Sequence, residues 1–481
     1  CRWRSGRSFL WRRPSEPNPM GEMEFIGIAG LAVLFFLLAL RMPVGLAMLL
    51  VGVGGTYALS LTVSYVRFGP YVKQFKSLLW SNMANYDLSV VPLFVFMGYL
   101  ASQANLSRDL FQGMNALMGR FRGGVAMSAI GACAGFGAVC GSSLATASTM
   151  GRVALPELRK LNYSPRLATG ALAAGGTLGI LIPPSVALVI YAVIVEASII
   201  EMFRAAIIPG FIAVVFFIAV IALLVRWKPD LAPSVSDMDK AQRRRAILKL
   251  IPVLLIFGSI IVGLGIGLFT PTPAAGVGVF AILVYGFAQR FWNDEGLRLG
   301  GVKTALLETA ITSGMIYFIL FGAEVLKGFF TRAGLPSAMA TWAGTSGLDP
   351  WLILVLMLLI LVVLGCFMES LAMILVVVPF FWPVLIDLNG GDYATAASST
   401  FGMDAEDLKI WFGILALIVV ELGLMTPPVG LNVFIINALA KDIPMSETFR
   451  GVVPFFLVEI VRIGLIIAFP VLVLLVPTML S

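Results

Sequence analysis

Apolar residues run along this chain in blocks of helix length, and polar residues are confined to short intervals between them. Residues 25–40 and 44–62 predict two spans divided by Arg41 and Pro43, each near the about 20 residues a helix needs to cross hydrocarbon. Tyr, Trp, Lys and Arg mix over residues 65–87, which suits an interfacial helix. Further spans are predicted over 88–103, 205–225, 250–269, 274–288, 305–321, 324–342 (interrupted by Gly334 and Pro336), 351–366 and 455–475.

Two stretches break this regularity, and each occurs twice. Residues 123–140 are rich in Gly, Ala, Ser and Cys and run into GSSLATAS; residues 144–156 are apolar again and stop at Pro156. Two pieces of about 15 residues cannot each cross a bilayer about 30 Å thick, so they predict a re-entrant hairpin with its tip at Gly141-Ser142-Ser143. Met368-Glu369-Ser370 and the run to Pro383 repeat the pattern, because Ser143–Pro156 and Ser370–Pro383 are both 13 residues apart. The other repeated feature is a broken helix. In GGTLGILIPPSVALVIY (175–191), Pro183 and Pro184 lack N–H groups, and Gly175, Gly176, Thr177 and Gly179 lower helix propensity, so the backbone is expected to open. GLMTPPVGLNVFI (423–435) matches it at one offset of 244 residues. Opened backbone at membrane depth is tolerated only where it is buried or lines a cavity, and a pair of such breaks in two halves marks a secondary transporter's binding site.

Composition agrees with the pattern. Of 481 residues 59% are hydrophobic and 12% charged, and the mean hydropathy is +0.98. The fold class is an all-α polytopic membrane protein, since a membrane β-barrel would alternate over segments of about ten residues. Absence of histidine removes His-based nucleophile arrangements and the commonest transition-metal ligand. Four cysteines form no CxxC pair, and no GxxxxGK[ST] loop is present, so no metal site, disulfide or ATP hydrolysis is expected. Arg2, Arg4, Arg7, Arg12 and Arg13 account for much of the net charge of +7. Residues 1–19 read as a non-native or disordered extension, with a basic membrane-surface arm as the other reading. Basic loops mark the cytoplasmic side. With residues 226–249 inside, loops 105–122, 157–166 and 290–303 are also inside, and the first hairpin enters from the cytoplasm while the second enters from the other face. The halves, roughly 84–226 and 304–478, are thus expected to be inverted repeats.

Hydroxyls cluster at the first tip. Ser142 and Ser143, with carbonyls freed near Thr177 and Gly179, form one candidate Na⁺ site; Glu369, Ser370, Gly423 and Thr426 form a second. The alternative is that small hydroxyls bond to their own helices, and that Glu369 snorkels or accepts structural hydrogen bonds. Thr146, Pro184, Pro428 and Asn432 are candidates for contacting substrate, because helix N-termini after the prolines attract anionic groups. Glu459 and Arg462, spaced i, i+3, read as a structural ion pair. Arg152 is either a counter-charge for a carboxylate or part of the hairpin's cytoplasmic end.

The stretch GSSLATASTMGRVALPELRKLNYSPRLATGALAAGGTLGILIPPSVALVIYA (141–192), with PLFVFMGYL (92–100), FMES (367–370) and GLMTPPVGLNVF (423–434), resembles the large membrane subunit of tripartite ATP-independent periplasmic (TRAP) transporters. The resemblance implies an elevator-type carrier in a bacterial inner membrane, driven by Na⁺ and importing an organic acid delivered by a soluble periplasmic binding protein. It also implies a small membrane subunit, Na⁺ sites at the hairpin tips and opened helices, no organic cofactor and no nucleic-acid partner. Scaffold helices are expected over 24–122 and 250–349, a transport domain over 123–226 and 350–480, and a basic cytoplasmic loop over 227–249. Two departures stand out. Thr270-Pro271-Thr272-Pro273 replaces the family's usual TPTE, and an insertion at 389–403 lies on the face where the binding protein is expected to dock. A stand-alone ion-coupled carboxylate or proton-exchange carrier of the same fold is the rival reading; a membrane enzyme or channel subunit lacks its chemical parts.

Overall fold

The computed structural model describes residues 19–40, 42–232, 238–293 and 296–480. The extension expected over 1–19, apart from Pro19, and Arg41 lie outside these. Every regular element among the described residues is helical. In chain order they are α1 (Pro19–Ala39), α2 (Val44–Thr62), the short α3 (Phe68–Lys73) and α4 (Phe75–Met83), α5 (Val90–Gln103), α6 (Leu106–Met118), α7 (Gly124–Cys140), α8 (Ser143–Lys160), α9 (Pro165–Leu181), α10 (Val186–Val195) and α11 (Ile199–Trp227). There follow α12 (Lys240–Gly265), α13 (Pro271–Asn293), α14 (Leu299–Arg332), α15 (Leu335–Thr345), α16 (Pro350–Gly365), α17 (Ser370–Leu388), α18 (Ala405–Leu424), α19 (Leu431–Leu439), α20 (Met445–Ala468) and α21 (Val471–Leu480). Among the described residues eight helices are long and apolar enough to cross a membrane, or ten if each of two bent pairs is one span.

Helices α7 and α8 form the first hairpin and α16 and α17 the second. The broken helices are α9 with α10, bent by 45°, and α18 with α19. Their directions are opposite, and polar contacts at the helix ends establish this. The far end of α8 meets the connection after α19 through Arg159–Asp442 at 2.6 Å, and Arg166 at the start of α9 pairs with Glu447 at the start of α20. At the other end of the bundle Tyr191 on α10 donates to Lys409 O on α18 at 2.9 Å. Each broken helix therefore begins beside its own hairpin's open end and finishes beside the other's, as inverted repeats require. Helix α14 packs on α2 and α5, α13 on α5, and α1 on α2, while α9 packs on α7, α8 and α20. Arg462 on α20 is 1% exposed; it pairs with Glu459 and donates to Pro209 O on α11 at 3.0 Å, so this buried ion pair ties two helices together.

Several predicted boundaries move, each for a packing reason. Residues 305–321 and 324–342 were expected as two spans, but α14 is continuous to Arg332. Gly322 does not break it because it serves a close approach: a Cβ there would lie 2.6 Å from Gly45 O of α2. Pro156 does not end the hairpin arm, which continues to Lys160. The last span ends at Ala468, before Pro470, and a short helix follows. The basic segment 226–249 is partly helical: α12 begins at Lys240, with Arg243 Nε donating to Ala116 O at 2.8 Å. The insertion 389–403 is anchored. Buried Asn389 donates to Met403 O at 2.9 Å and accepts from Phe401 N at 3.1 Å, and Phe401 lies against Trp351, leaving Tyr393 fully out in solvent.

Candidate functional site

Glycine chemistry brings the tips and breaks together. Gly141 closes the first tip with φ +59°, and a Cβ there would sit 3.1 Å from Val186 N. Ser142 caps α8, accepting from Ala145 N at 3.5 Å. A Cβ on Gly179 would lie 2.4 Å from Thr146 Oγ1 and 2.8 Å from Ser142 O, and one on Gly137 would lie 2.5 Å from Gly179 Cα. In the other half a Cβ on Gly423 would lie 2.6 Å from Gly365 Cα. Each broken helix thus touches its hairpin backbone to backbone.

This overturns the expected extent of the first break. Gly175, Gly176, Thr177 and Gly179 all lie inside α9, and the opening is confined to residues 182–185. The second opening is residues 425–430. Pro183, Pro184 and Pro428 have no N–H for the carbonyls of Gly179, Ile180 and Leu424, so those oxygens lack their usual helical donors. Both Pro–Pro bonds are cis.

The two tips meet on one side chain that the sequence reading did not single out. Glu421, on the last turn of α18, is 1% exposed. Its Oε2 accepts from Ser143 Oγ at 2.6 Å and its Oε1 from Ser370 Oγ at 2.7 Å. A signal was present, since Glu421 is the sole charge between Lys409 and Lys441 in the sequence, and an ionisable group at membrane depth points to function.

The structure brings some predicted residues together and separates others. Ser142, Ser143 and Gly179 share the first tip, and Ser370 joins them through Glu421. Thr177 donates to Ala174 O at 2.6 Å and Thr426 to Leu422 O at 2.6 Å, so both hydroxyls serve their own helices. Glu369 is half-buried at the start of α17 without a side-chain cap bond. Gly423 packs on Gly365. Thr146 and Asn432 are fully buried, and Thr146 Oγ1 and both polar atoms of the Asn432 amide have no partner among the described residues. Pro184 lies in the first break and Pro428, exposed, in the second.

A cavity of about 400 Å³ opens between α5 and α14 on one side and both tips on the other. Ser142, Ser148, Thr149 and Arg152 line it from α8, Glu308 from α14, and Glu369 from the second tip. Tyr99 and Thr312 share a hydrogen bond of 2.8 Å at the wall formed by α5 and α14. Thr146, Pro184, Pro428 and Asn432 are not in its lining. The polar groups around the tips are oxygens, a donor set for hard cations, and no group of three or more His, Cys, Asp or Glu placed to hold a metal ion occurs among the described residues.

A multi-pass bundle whose two opposed hairpins close on a buried carboxylate beside a central cavity is a membrane carrier, with its site at helix breaks as transporters place it. The family model of the tripartite ATP-independent periplasmic transporter, DctM component, matches residues 31–472. The C4-dicarboxylate TRAP transporter large permease protein DctM of Pseudomonas aeruginosa is 32% identical over 88% of this chain and 94% of its own length. The sialic acid TRAP transporter large permease protein SiaM of Vibrio cholerae is 31% identical over 82% and 86%, and the isethionate TRAP transporter permease protein DctMQ of Oleidesulfovibrio alaskensis is 26% identical over 85% and 61%. Among solved structures the Alcanivorax borkumensis YdaH transporter shares the fold, with a TM-score of 0.58 at 14% identity over 94% of this chain and 98% of that one. The chain belongs to the DctM family of TRAP transporter large permeases. It is a transport permease of the bacterial inner membrane and not an enzyme.

Proposed function

We propose that this permease imports a small organic acid by Na⁺-coupled secondary transport with an elevator motion. The observation that carries the reading is Glu421 holding Ser143 and Ser370, one hydroxyl from each tip. A buried carboxylate without a cationic partner among its hydrogen bonds supplies negative charge, and the hydroxyls and proline-freed carbonyls beside it supply neutral oxygens. Ser142, Ser143 and Gly179 would ligate one Na⁺, and Ser370, Gly423 and Glu369 a second, with Glu421 between them. Thr177 and Thr426 would act through backbone oxygens, their hydroxyls being engaged.

The relatives are named for C4-dicarboxylates, sialic acid and isethionate, which differ in net charge and size but each carry an acidic group, and this supports an organic substrate with at least one acidic group. It would occupy the central cavity and cross with the hairpins and broken helices as one body, sliding against α5 and α14. A soluble periplasmic binding protein would deliver it to the face where the second hairpin opens and Tyr393 projects, and a small membrane subunit would complete the scaffold. The test is thermal unfolding of the purified chain in Na⁺ against K⁺ at constant ionic strength, because a bound ion stabilises saturably. A Na⁺-specific shift weakened by Ser143→Ala and by Ser370→Ala is expected; equal behaviour in Na⁺ and K⁺ would refute Na⁺ coupling at the tips.

A further inference from the structure

The central cavity carries an unusual charge pattern. Arg152 projects from α8, and Glu308 from α14 on the opposite wall. Arg152 lies eight residues before the end of α8 and Glu308 nine after the start of α14. At about 1.5 Å per residue both stand roughly 12–14 Å in from the same end of the bundle. Both are exposed to the cavity, and among the described residues neither has a hydrogen bond or ion pair. Glu369 adds a second carboxylate, and Tyr99 stands within electrostatic reach of both acids. Arg152 also lines a second cavity, of about 660 Å³, shared with Arg108 and Gln242 at that end. Unpaired charges of opposite sign lining one cavity inside a membrane bundle mark a ligand path.

Resting on the transport reading above, we infer that the cavity takes a small zwitterion, with its carboxylate on Arg152 and its ammonium group on Glu308, in preference to a dicarboxylate. With Glu369 engaged by a cation, one positive and one negative wall remain, which is the complement of a molecule carrying one of each. A second carboxylate would instead face Glu308 at close range, and like charges in such a site lower affinity by about tenfold or more. The hydroxyls of Ser148 and Thr149, between Ser142 and Arg152 on the same helix face, provide polar contacts along the molecule's length. A volume of about 400 Å³ suits a small solute. Arg152, shared by both cavities, would then hand the carboxylate onward toward the end where the second cavity opens.

The test uses the purified full chain in saturating Na⁺, with γ-aminobutyrate, butyrate and succinate as probes, read by thermal unfolding and calorimetric titration. Half-saturation for γ-aminobutyrate is expected at least about tenfold below that for butyrate or succinate. Glu308→Arg should reverse the order in favour of succinate, and the double variant Arg152→Glu with Glu308→Arg should restore γ-aminobutyrate binding, its orientation reversed. Should a charge reversal prevent folding, seen as loss of the Na⁺ shift itself, Glu308→Gln replaces it and should abolish the preference for γ-aminobutyrate over butyrate. Succinate binding the wild type as tightly as γ-aminobutyrate, an unchanged order in Glu308→Arg or Glu308→Gln, or no probe binding at all would overturn the inference. An intact Na⁺ shift in those cases leaves Na⁺ coupling standing; its absence from the wild type brings both down.

Discussion

Replacing Glu421 by Gln separates its charge from its hydrogen bonds. The amide is nearly isosteric: its oxygen can still accept from one serine, and its NH₂ can donate to the other after that hydroxyl rotates. Stability in K⁺ should therefore change by no more than about 1 kcal/mol, the difference between charge-assisted and neutral bonds. Na⁺ should respond far more. A cation ligated by Ser143 Oγ or Ser370 Oγ, themselves 2.6 and 2.7 Å from the carboxylate, stands about 4–5 Å from the negative charge. At an effective dielectric constant of about 20 that separation is worth about 3–4 kcal/mol, and solvent reorganisation leaves about 100-fold in Na⁺ affinity. The assay is melting temperature against Na⁺ concentration at constant ionic strength for wild type, Glu421→Gln and Glu421→Ala. The alanine variant strands both serine hydroxyls at about 1–3 kcal/mol each and should be destabilised in either salt. A Glu421→Gln half-saturation within about twofold of wild type would refute a role for this charge in ion binding.

Two further predictions follow from contacts and charge. Gly179→Ala and Gly423→Ala should each destabilise by about 1–3 kcal/mol, because the added methyls meet the first tip at 2.4 Å and Gly365 Cα at 2.6 Å; Gly276→Ala, with nothing within 4 Å, should be neutral in the same thermal unfolding series. At the end joining α8 to the α19–α20 connection, the hydrogen bond from Arg159 holds the Asp442 carboxyl below its ordinary range. A depressed value in the folded state gives a contribution present above the ordinary carboxylate pKa, about 3.9, and lost as pH falls through the folded value. Protection of the amides over residues 440–444, taken as the exchange rate relative to the intrinsic rate at each pH, should therefore fall in acid in the wild type and show no such step in Asp442→Asn.

The hairpins and broken helices were legible because length and proline chemistry are local properties. A run too short to cross a bilayer must turn back, and two adjacent prolines must release carbonyls, whatever surrounds them. Glycine was not legible in the same way. Gly175, Gly176 and Gly179 lower helix propensity in isolation, yet within α9 they admit Cys133, Ala147 and the first tip to close range, and packing overrides propensity. Gly322, between the two spans expected over 305–321 and 324–342, likewise serves a close approach within a continuous α14. The hairpin spacing placed Ser143 and Ser370 at corresponding tips, but their common partner arrives from a helix that begins 35 residues after Ser370. Which buried acid would reach both tips is a question of tertiary geometry.

The inverted repeat also explains why there is one such acid. The offset of 244 residues that carries Gly179 onto Gly423 carries Thr177 onto Glu421. The position related to the carboxylate thus holds a hydroxyl that bonds to Ala174 O in its own helix. Two carboxylates at a shared buried site would repel, and one would have to be neutral. A single carboxylate has two oxygens, and here each accepts from a different tip. The pseudo-twofold arrangement supplies two equivalent serines, whereas departure from it supplies one shared charge, so ions bound at the two tips would draw on the same carboxylate and could not be energetically independent.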